Sequence, residues 1–253
     1  MFIRSILSVE INYNISLKAM KRIAHRGNMA SDQNNIENTL RAFQNALSTV
    51  DGIELDVHMT RDGTLIVFHD NDVSNLTGGT GNILDLDYDY ITTLRVNGEK
   101  IPTLEQVFQL ALTNKEIYVE IKQSERNGEH GQYPGIVTKV IQLIEKYKLE
   151  QQVIVISFDW YMLQESKEKN GKIKTGALLD ENLMLSEFDS LCCRNSQCME
   201  RLEQMAIDYI LFDYELFDQQ TDLIFENYTL GIWLTGKLTF SPDKIKIVIS
   251  DYW

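Results

Sequence analysis

Short apolar runs rich in β-branched residues recur eight times along the chain, and most intervals between them show helical spacing. The runs are Arg22–His25, Gly52–Val57, Glu116–Lys122, Val153–Ser157, Lys174–Leu179, Tyr209–Phe212, Leu230–Thr235 and Ile245–Ser250. Helical spacing occurs at Thr39–Leu47, Leu104–Ala111, Val137–Tyr147 and Trp160–Lys169. Strands that alternate with helices form βαβ units and a parallel sheet. Eight such strands in 253 residues predict an α/β fold, a closed (β/α)8 TIM barrel, rather than an open doubly wound sheet.

The run Thr64–His69 does not belong to this series. Only about six residues separate it from the second predicted strand, whereas a parallel crossover needs about a dozen. We expect a small insertion after strand 2, covering about residues 60–100. The glycines of 77–81 within it predict a turn; a phosphate cradle is the weaker alternative, because no strand precedes them and no lysine with a hydroxyl residue follows.

The barrel is predicted to span residues 21–253, preceded by an N-terminal extension of residues 1–20. In the extension, apolar residues alternate strictly with polar ones, which is the period of a strand. They are Val9, Ile11, Tyr13, Ile15 and Leu17. Because no helix follows the eighth predicted strand in this sequence, we expect the extension to pack on the barrel's flank or bottom, or to pair with a second copy in a homodimer. A disordered leader is the alternative.

Composition excludes several classes of function. The formal net charge of -13 argues against nucleic acid as the main partner, which would require a broad basic surface. No run approaches the ~20 apolar residues of a membrane span, and Arg4 and Glu10 interrupt the segment where a signal peptide would lie. The three cysteines, Cys192, Cys193 and Cys198, predict free thiols in a reducing compartment, hence a cytoplasmic protein.

Two acidic residues lie two positions apart in the second predicted strand. Glu54 and Asp56 therefore project from the same side, their Cα atoms about 7 Å apart. Their neighbours in the strand are apolar, so the acids are expected to face the barrel interior. Glu120 and Lys122 repeat this spacing on the third strand. Three carboxylates suit one hard divalent cation, Mg²⁺ or Ca²⁺. A solvated sheet face, or a simple Glu120–Lys122 ion pair, is the alternative.

Other polar residues end the predicted strands at the same mouth of the barrel, where active sites of this architecture lie. They are His25, Arg26, Ser157, Trp233 and Asp251. Arg26 and Lys122 would supply the positive charge that a phosphate requires. Trp233 is expected either to form a wall for an alcohol group or to belong to the core.

Two further histidines are alternatives. His58 continues the alternation of Glu54 and Asp56, but we expect the chain to leave the barrel there and the side chain to point out of the site. His130 is expected at the surface of the loop Gln123–Gly135, which overhangs the mouth.

Eight short motifs follow one another between Lys21 and Asp251. In order, they are Ile23-Ala24-His25-Arg26-Gly27, Glu37-Asn38-Thr39, Glu54-Leu55-Asp56-Val57, Thr60-Arg61-Asp62-Gly63, His69-Asp70, Ile101-Pro102-Thr103-Leu104-Glu105, Glu120-Ile121-Lys122 and Ser157-Phe158-Asp159. This set resembles the glycerophosphodiester phosphodiesterase family. The resemblance implies a (β/α)8 barrel and assigns the metal ligands to Glu54, Asp56 and Glu120. It further assigns the acid/base pair to His25 and His69, and the phosphate contacts to Arg26 and Lys122.

The activity implied by the resemblance is metal-dependent hydrolysis of a glycerophosphodiester to sn-glycerol 3-phosphate and an alcohol, a step of lipid and glycerol metabolism. Attack by water and attack by the substrate's own 2-hydroxyl through a cyclic phosphate both remain open, as does which histidine is the base. The alternatives are a phosphodiester lyase, a phospholipase D-like enzyme acting on lipids, and a non-catalytic barrel that binds glycerophosphodiesters or sugar phosphates.

Overall fold

Parallel strands and helices alternate along the chain in the computed structural model, which describes residues 20–28, 36–110, 114–180, 196–216, 225, 227–234, 244–251 and 253. Eight parallel strands form the central sheet. They are β1 (Lys21–Ala24), β2 (Gly52–Met59), β6 (Glu116–Ile121), β9 (Val153–Ser157), β10 (Lys174–Leu179), β11 (Tyr209–Asp213), β12 (Thr229–Leu234) and β13 (Ile245–Ser250). The eight predicted runs are confirmed, with bounds that differ by at most two residues.

The first strand closes the sheet into a barrel. Ile23 of β1 lies opposite Ile249 of β13 on one side and opposite Gly52 of β2 on the other. The remaining strands pair in chain order. The predicted (β/α)8 TIM barrel is therefore confirmed.

Two sets of side chains pack on the two faces of the barrel wall. The outward residues of β2, Ile53, Leu55 and Val57, belong to the large core between strands and helices. The inward residues form a separate cluster inside the barrel, which is Ile23, Tyr118, Ile154, Ile156, Leu178, Leu211, Ile247 and Ile249. Because side chains alternate across a strand, an apolar outward set on β2 directs its acidic residues into the barrel.

Helices cover the outside of the barrel. The described α-helices are α1 (Leu40–Leu47), α2 (Ser74–Thr77), α3 (Tyr88–Ile91), α4 (Leu104–Phe108), α5 (Ile136–Tyr147), α6 (Trp160–Lys169) and α7 (Ser196–Gln204). Side chains of the preceding loop cap several of them: the Thr39 hydroxyl accepts from the first turn of α1, and Thr103 forms a capping box with Gln106 on α4. Such caps each contribute about 1 kcal/mol and fix where the helix begins.

The polypeptide between β2 and β6 makes a small subdomain above the barrel. Strand β3 (Leu65–Val67) runs antiparallel to β2, and β4 (Arg95–Val96) pairs with β5 (Glu99–Lys100). This region has its own apolar cluster, which comprises Ile66, Phe68, Val73, Ile83, Ile91, Leu94, Val96 and Ile101. After β6, β7 (Ser124–Arg126) and β8 (Glu129–Gly131) form a hairpin where the sequence suggested only a loop.

Two predictions lie outside the described residues. These are the packing of the N-terminal extension and the state of the three cysteine side chains. Within the described part of the chain, none of the helices is long and apolar enough to cross a bilayer.

Candidate active site

Three buried carboxylates meet at the C-terminal mouth of the barrel. Parallel register places Asp56 of β2 directly beside Glu120 of β6, with Glu54 one inward position earlier on β2. One oxygen from each carboxylate lies within 4.8 Å of the other two. All three residues are more than nine-tenths buried. A buried set of carboxylate oxygens this close together fits a hard divalent cation such as Mg²⁺ or Ca²⁺.

A sharp turn after β1 brings Arg26 over these acids. Arg26 adopts the left-handed conformation, with φ of 53°, which is unusual for a residue with a side chain. Its backbone N–H donates to Glu54 Oε2 at 2.9 Å, and its guanidinium lies 2.9 Å from Glu37 and 3.5 Å from Asp56. These contacts offset the cost of the left-handed backbone.

The glycine after Arg26 is required by close packing. Gly27 is also left-handed, with φ of 72°, and an added Cβ would lie only 2.7 Å from the ring of Phe43 on α1. The turn can therefore approach α1 closely only without a side chain here.

Lys122 provides a second cation beside the cluster. Its Nζ lies 2.8 Å from Glu120 Oε1 and 3.3 Å from Asp56 Oδ1. Burial alone would lower the pKa of this lysine, but Glu120 and Asp56 together raise it, so the ammonium stays charged. Two fixed cations beside three acids leave the centre able to attract both a metal ion and an anionic phosphate.

The two carboxylates of β2 differ in proton affinity. Burial, together with the charge of Asp56, raises the pKa of Glu54 from 4.5 to about 8. Burial acts in the same direction on Asp56, but Lys122, His69, Arg26 and the amide of Asn38 outweigh it and hold its pKa below the usual value. Without a divalent cation, the cluster therefore retains a proton on Glu54 near neutral pH.

This proton predicts how stability depends on pH. A carboxyl whose pKa is raised by folding contributes stability that is fully present below its unfolded value and is lost as the pH rises through its folded value. In the presence of a chelator, we expect the free energy of unfolding to fall between about pH 5 and pH 8 relative to the Glu54→Gln variant, which cannot ionise there. Thermal unfolding at a series of pH values measures the difference, and parallel curves for the two proteins would contradict it.

Both predicted catalytic histidines are anchored by a carboxylate through Nδ1. His25 Nδ1 lies 3.0 Å from Asp251 Oδ1, and His69 Nδ1 lies 2.7 Å from Asp70 Oδ1. A carboxylate acceptor holds the hydrogen on Nδ1, so each Nε2 is available to a ligand. Burial would lower the pKa of His25, but the hydrogen bond to Asp251 and the charge of Glu54, 4.0 Å from Nε2, raise it overall.

Two joined cavities lie over the carboxylates. A smaller one of about 160 Å³ is lined by His25, Arg26 and Trp233 together with apolar side chains. A larger one of about 800 Å³ opens between the subdomain and the β7–β8 hairpin, and polar side chains such as Asp70 and Glu125 line it. His69, Glu120, Lys122 and Phe158 line both cavities.

The other predicted site residues fall in different places. Ser157 is buried, but its hydroxyl donates to the Ile121 carbonyl. Trp233 lines the smaller cavity and packs edge-to-face on Phe158, with ring centroids 6.0 Å apart. His130 is exposed on the hairpin and lines the larger cavity.

His58 lies near the end of β2, where this strand pairs with the subdomain. Strand β2 continues to Met59, but its pairing with β6 ends at Val57, and His58 and Met59 pair with β3 of the subdomain. The chain therefore leaves the barrel wall at His58, as expected. The ring is fully buried, on the same side of the strand as Glu54 and Asp56. It lines neither cavity of the site, and its two ring nitrogens contact the Tyr133 hydroxyl and the His69 carbonyl.

Sequence reasoning gave no role to several residues that organise the site. Asp251 and Asp70 anchor the two histidines, Glu37 pairs with Arg26, and Asn38 Nδ2 donates to Asp56 at 2.8 Å. Their positions held a partial signal, because Glu37-Asn38 and His69-Asp70 are among the eight motifs and Asp251 directly follows a strand. His69 and Asp70 are neighbours in the chain, but the other pairings join residues 11 to 226 positions apart, and spacing does not specify them.

Comparisons with known proteins point to one family. The model of the glycerophosphoryl diester phosphodiesterase family matches residues 25–214. A glycerophosphodiester phosphodiesterase from Caldanaerobacter subterraneus is 40 % identical over 166 residues, which cover 62 % of this chain and 65 % of the relative. The match thus spans slightly less than two thirds of that relative.

Solved structures share the architecture over more of the chain. A glycerophosphodiester phosphodiesterase from Thermotoga maritima has a TM-score of 0.68 at 26 % identity, covering 92 % of this chain and 94 % of the other. A phosphodiesterase from Oleispira antarctica, solved with the product sn-glycerol-3-phosphate, has a TM-score of 0.69 at 22 % identity and covers 93 % and 95 %.

Proposed function

Because the chain belongs to the glycerophosphoryl diester phosphodiesterase family, we propose that it hydrolyses glycerophosphodiesters to sn-glycerol 3-phosphate and an alcohol, with one divalent cation. The observation that carries the proposal is the buried triad of Glu54, Asp56 and Glu120 beneath two histidines and two cations. A phosphodiester carries one negative charge, and Arg26 and Lys122 are placed to receive it.

The residues around the triad have distinct roles in this proposal. Glu54, Asp56 and Glu120 hold the cation, which acts as a Lewis acid on the phosphoryl oxygens when bound. Arg26 and Lys122 are fixed in advance by their ion pairs, so they stabilise the charge that grows on phosphate without reorganising. His25 and His69 move protons through Nε2, since Asp251 and Asp70 occupy the other nitrogen.

The two cavities suggest how the substrate is oriented. The small cavity suits the glycerol moiety, and the larger, polar cavity suits the alcohol. Trp233 then lies on the glycerol side, where its ring forms part of the wall of the small cavity.

The same placement favours His69 as the acid and His25 as the base. In an in-line displacement the attacking and leaving oxygens lie on opposite sides of phosphorus. His69 lines the larger cavity and His25 does not. His69 would therefore donate a proton to the departing alcohol oxygen as the P–O bond breaks. His25 would accept the proton of the attacking water or 2-hydroxyl.

Assays with purified protein test the activity. We expect glycerophosphocholine, glycerophosphoethanolamine and glycerophosphoinositol to yield sn-glycerol 3-phosphate with Mg²⁺ or Ca²⁺ and no product after exhaustive chelation. Full activity in the chelator would refute the metal dependence. An accumulating cyclic phosphate would indicate a lyase, release of headgroups from intact lipids alone would indicate a phospholipase D-like enzyme, and binding without turnover would indicate a non-catalytic barrel.

A further inference from the structure

His58 lines neither cavity, whereas the other three of the chain's four histidines each line at least one. We propose that His58 is a positioning residue for His69, acting on the backbone of His69 through a hydrogen bond. The inference goes beyond the proposed function, and only its kinetic test rests on that function.

Both nitrogens of the His58 ring have a defined partner. Nε2 lies 2.9 Å from the carbonyl oxygen of His69, and Nδ1 lies 2.8 Å from the hydroxyl of Tyr133. A carbonyl can only accept, so Nε2 carries the hydrogen, and in the neutral ring Nδ1 then accepts from the tyrosine. The rings of His58 and Tyr133 also meet edge-to-face, with centroids 5.7 Å apart.

The hydrogen bond from His58 to the His69 carbonyl lies just beyond the last backbone hydrogen bond between this segment and β2. The last backbone contact of this segment with β2 is the Phe68 N–H donating to the Asp56 carbonyl at 3.0 Å. Within the part of the chain that the structure describes, the His69 carbonyl receives a hydrogen bond from His58 and from no backbone amide. Beyond the end of the β-ladder, the side chain of His58 therefore supports the backbone of His69, whose own side chain faces the site.

The other end of the connection is firmly held. Tyr133 is 1 % exposed, and its carbonyl accepts from the N–H of Ile136 at the start of α5. A chain of contacts thus runs from α5 through Tyr133 and His58 to the His69 backbone. Asp70 separately fixes the ring of His69. Backbone and ring together set the position of Nε2 over the joined cavities.

Misplacing a catalytic group by about 1 Å can cost roughly 100-fold in rate, and loss of a supporting hydrogen bond commonly costs about 10- to 100-fold. A residue that only filled the core would affect stability instead. The two roles are separable because the amide nitrogen of glutamine can occupy the place of Nε2, whereas asparagine reaches only the place of Nδ1.

The decisive comparison is between His58→Gln and His58→Asn. We expect the glutamine variant to keep kcat within about threefold of the wild type and the asparagine variant to lose about 10-fold or more. KM should change little in either, because phosphate contacts are untouched. Equal kcat values in the two variants, whether both high or both low, would overturn the proposal. A change in KM with unchanged kcat would also overturn the proposal.

Tyr133→Phe is the matched control on the other nitrogen. It removes the hydroxyl but leaves both the edge-to-face contact of the two rings and the His58–His69 bond, so we expect a lower melting temperature with kcat close to the wild type. A loss of kcat equal to that of His58→Asn would assign the effect to general packing of the buried network and overturn the positioning role.

A measurement without substrate separates this inference from the proposed activity. In the NMR spectrum of protein labelled with ¹⁵N-histidine, each of the four histidine rings gives its own signals. Single-histidine variants assign these signals to residues. We expect the ring signals of His69 to shift or broaden in His58→Asn and to match the wild type in His58→Gln. Unchanged His69 signals in both variants would overturn the inference, even if the protein proved inactive on every phosphodiester. If the His69 signals change as expected in a protein that is inactive, the change supports the positioning role of His58. The lack of activity then refutes only the proposed function.

Discussion

Replacing Glu120 by glutamine is expected to abolish the stabilisation that Mg²⁺ or Ca²⁺ gives to the protein and to reduce hydrolysis at least about 100-fold. Glu120 supplies one of three carboxylates whose oxygens lie within 4.8 Å of one another. With one of them neutral, two charges remain to hold the ion, and Lys122 loses one of its two anionic partners.

The size of the loss follows from linkage between binding and folding. An ion present at 100 times its dissociation constant stabilises the folded state by about 2.7 kcal/mol. For a chain of this length that raises the melting temperature by about 5 to 10 °C. Thermal unfolding with the cation and with a chelator measures this difference in the wild type and the variant.

Glu116→Gln is the matched control. Glu116 begins the same strand at the opposite end of the barrel, where it contacts Lys21 and Tyr118. The variant removes a carboxylate from β6 without touching the triad, and the glutamine amide oxygen can still accept from the Tyr118 hydroxyl. It should retain the cation-dependent shift and the activity. An undiminished shift in Glu120→Gln would show that the ion binds elsewhere.

His25→Ala and His69→Ala are each expected to lower kcat by about 100-fold or more, the usual contribution of general acid–base catalysis. Each imidazole presents Nε2 to the cavities while a carboxylate holds Nδ1. Steady-state kinetics with a glycerophosphodiester measures the effect. The assigned roles make a further prediction. A substrate with a highly acidic alcohol should restore the kcat of His69→Ala more than that of His25→Ala, because such an alcohol leaves without a proton.

The cation-dependent rise in melting temperature serves as the control for these histidine variants. It should persist in both, since neither histidine belongs to the triad, and its loss would show that the substitution damages the metal centre. Near-wild-type turnover in either variant with an unactivated alcohol would exclude that histidine from acid–base catalysis.

The architecture could be predicted because it depends on local, periodic signals. Eight β-branched runs with helical segments between them define a parallel barrel, since each strand needs a crossover of roughly helical length. The acidic pair could be predicted for a similar reason. Alternation along β2 places Ile53, Leu55 and Val57 on the outer core, which leaves Glu54 and Asp56 no other face than the inner one.

Other elements escaped prediction because their stability comes from distant partners. The β7–β8 hairpin is short and polar, so its strands carry no hydrophobic period. The burial of the His58 ring escaped prediction, because nothing near it in sequence reveals that Tyr133, 75 residues away, contacts it.

The sequence by itself determined the barrel, the inward face of each acidic residue and the types of side chain at the mouth, because strand alternation and apolar patterning act over a few residues. Only the tertiary structure decided which carboxylate anchors which histidine, how the mouth divides into two cavities, and that His58 contacts the His69 backbone. Those contacts join segments as far apart as His25 and Asp251, 226 residues from each other. Their geometry follows from barrel closure, which brings β1 beside β13 and which no local pattern encodes.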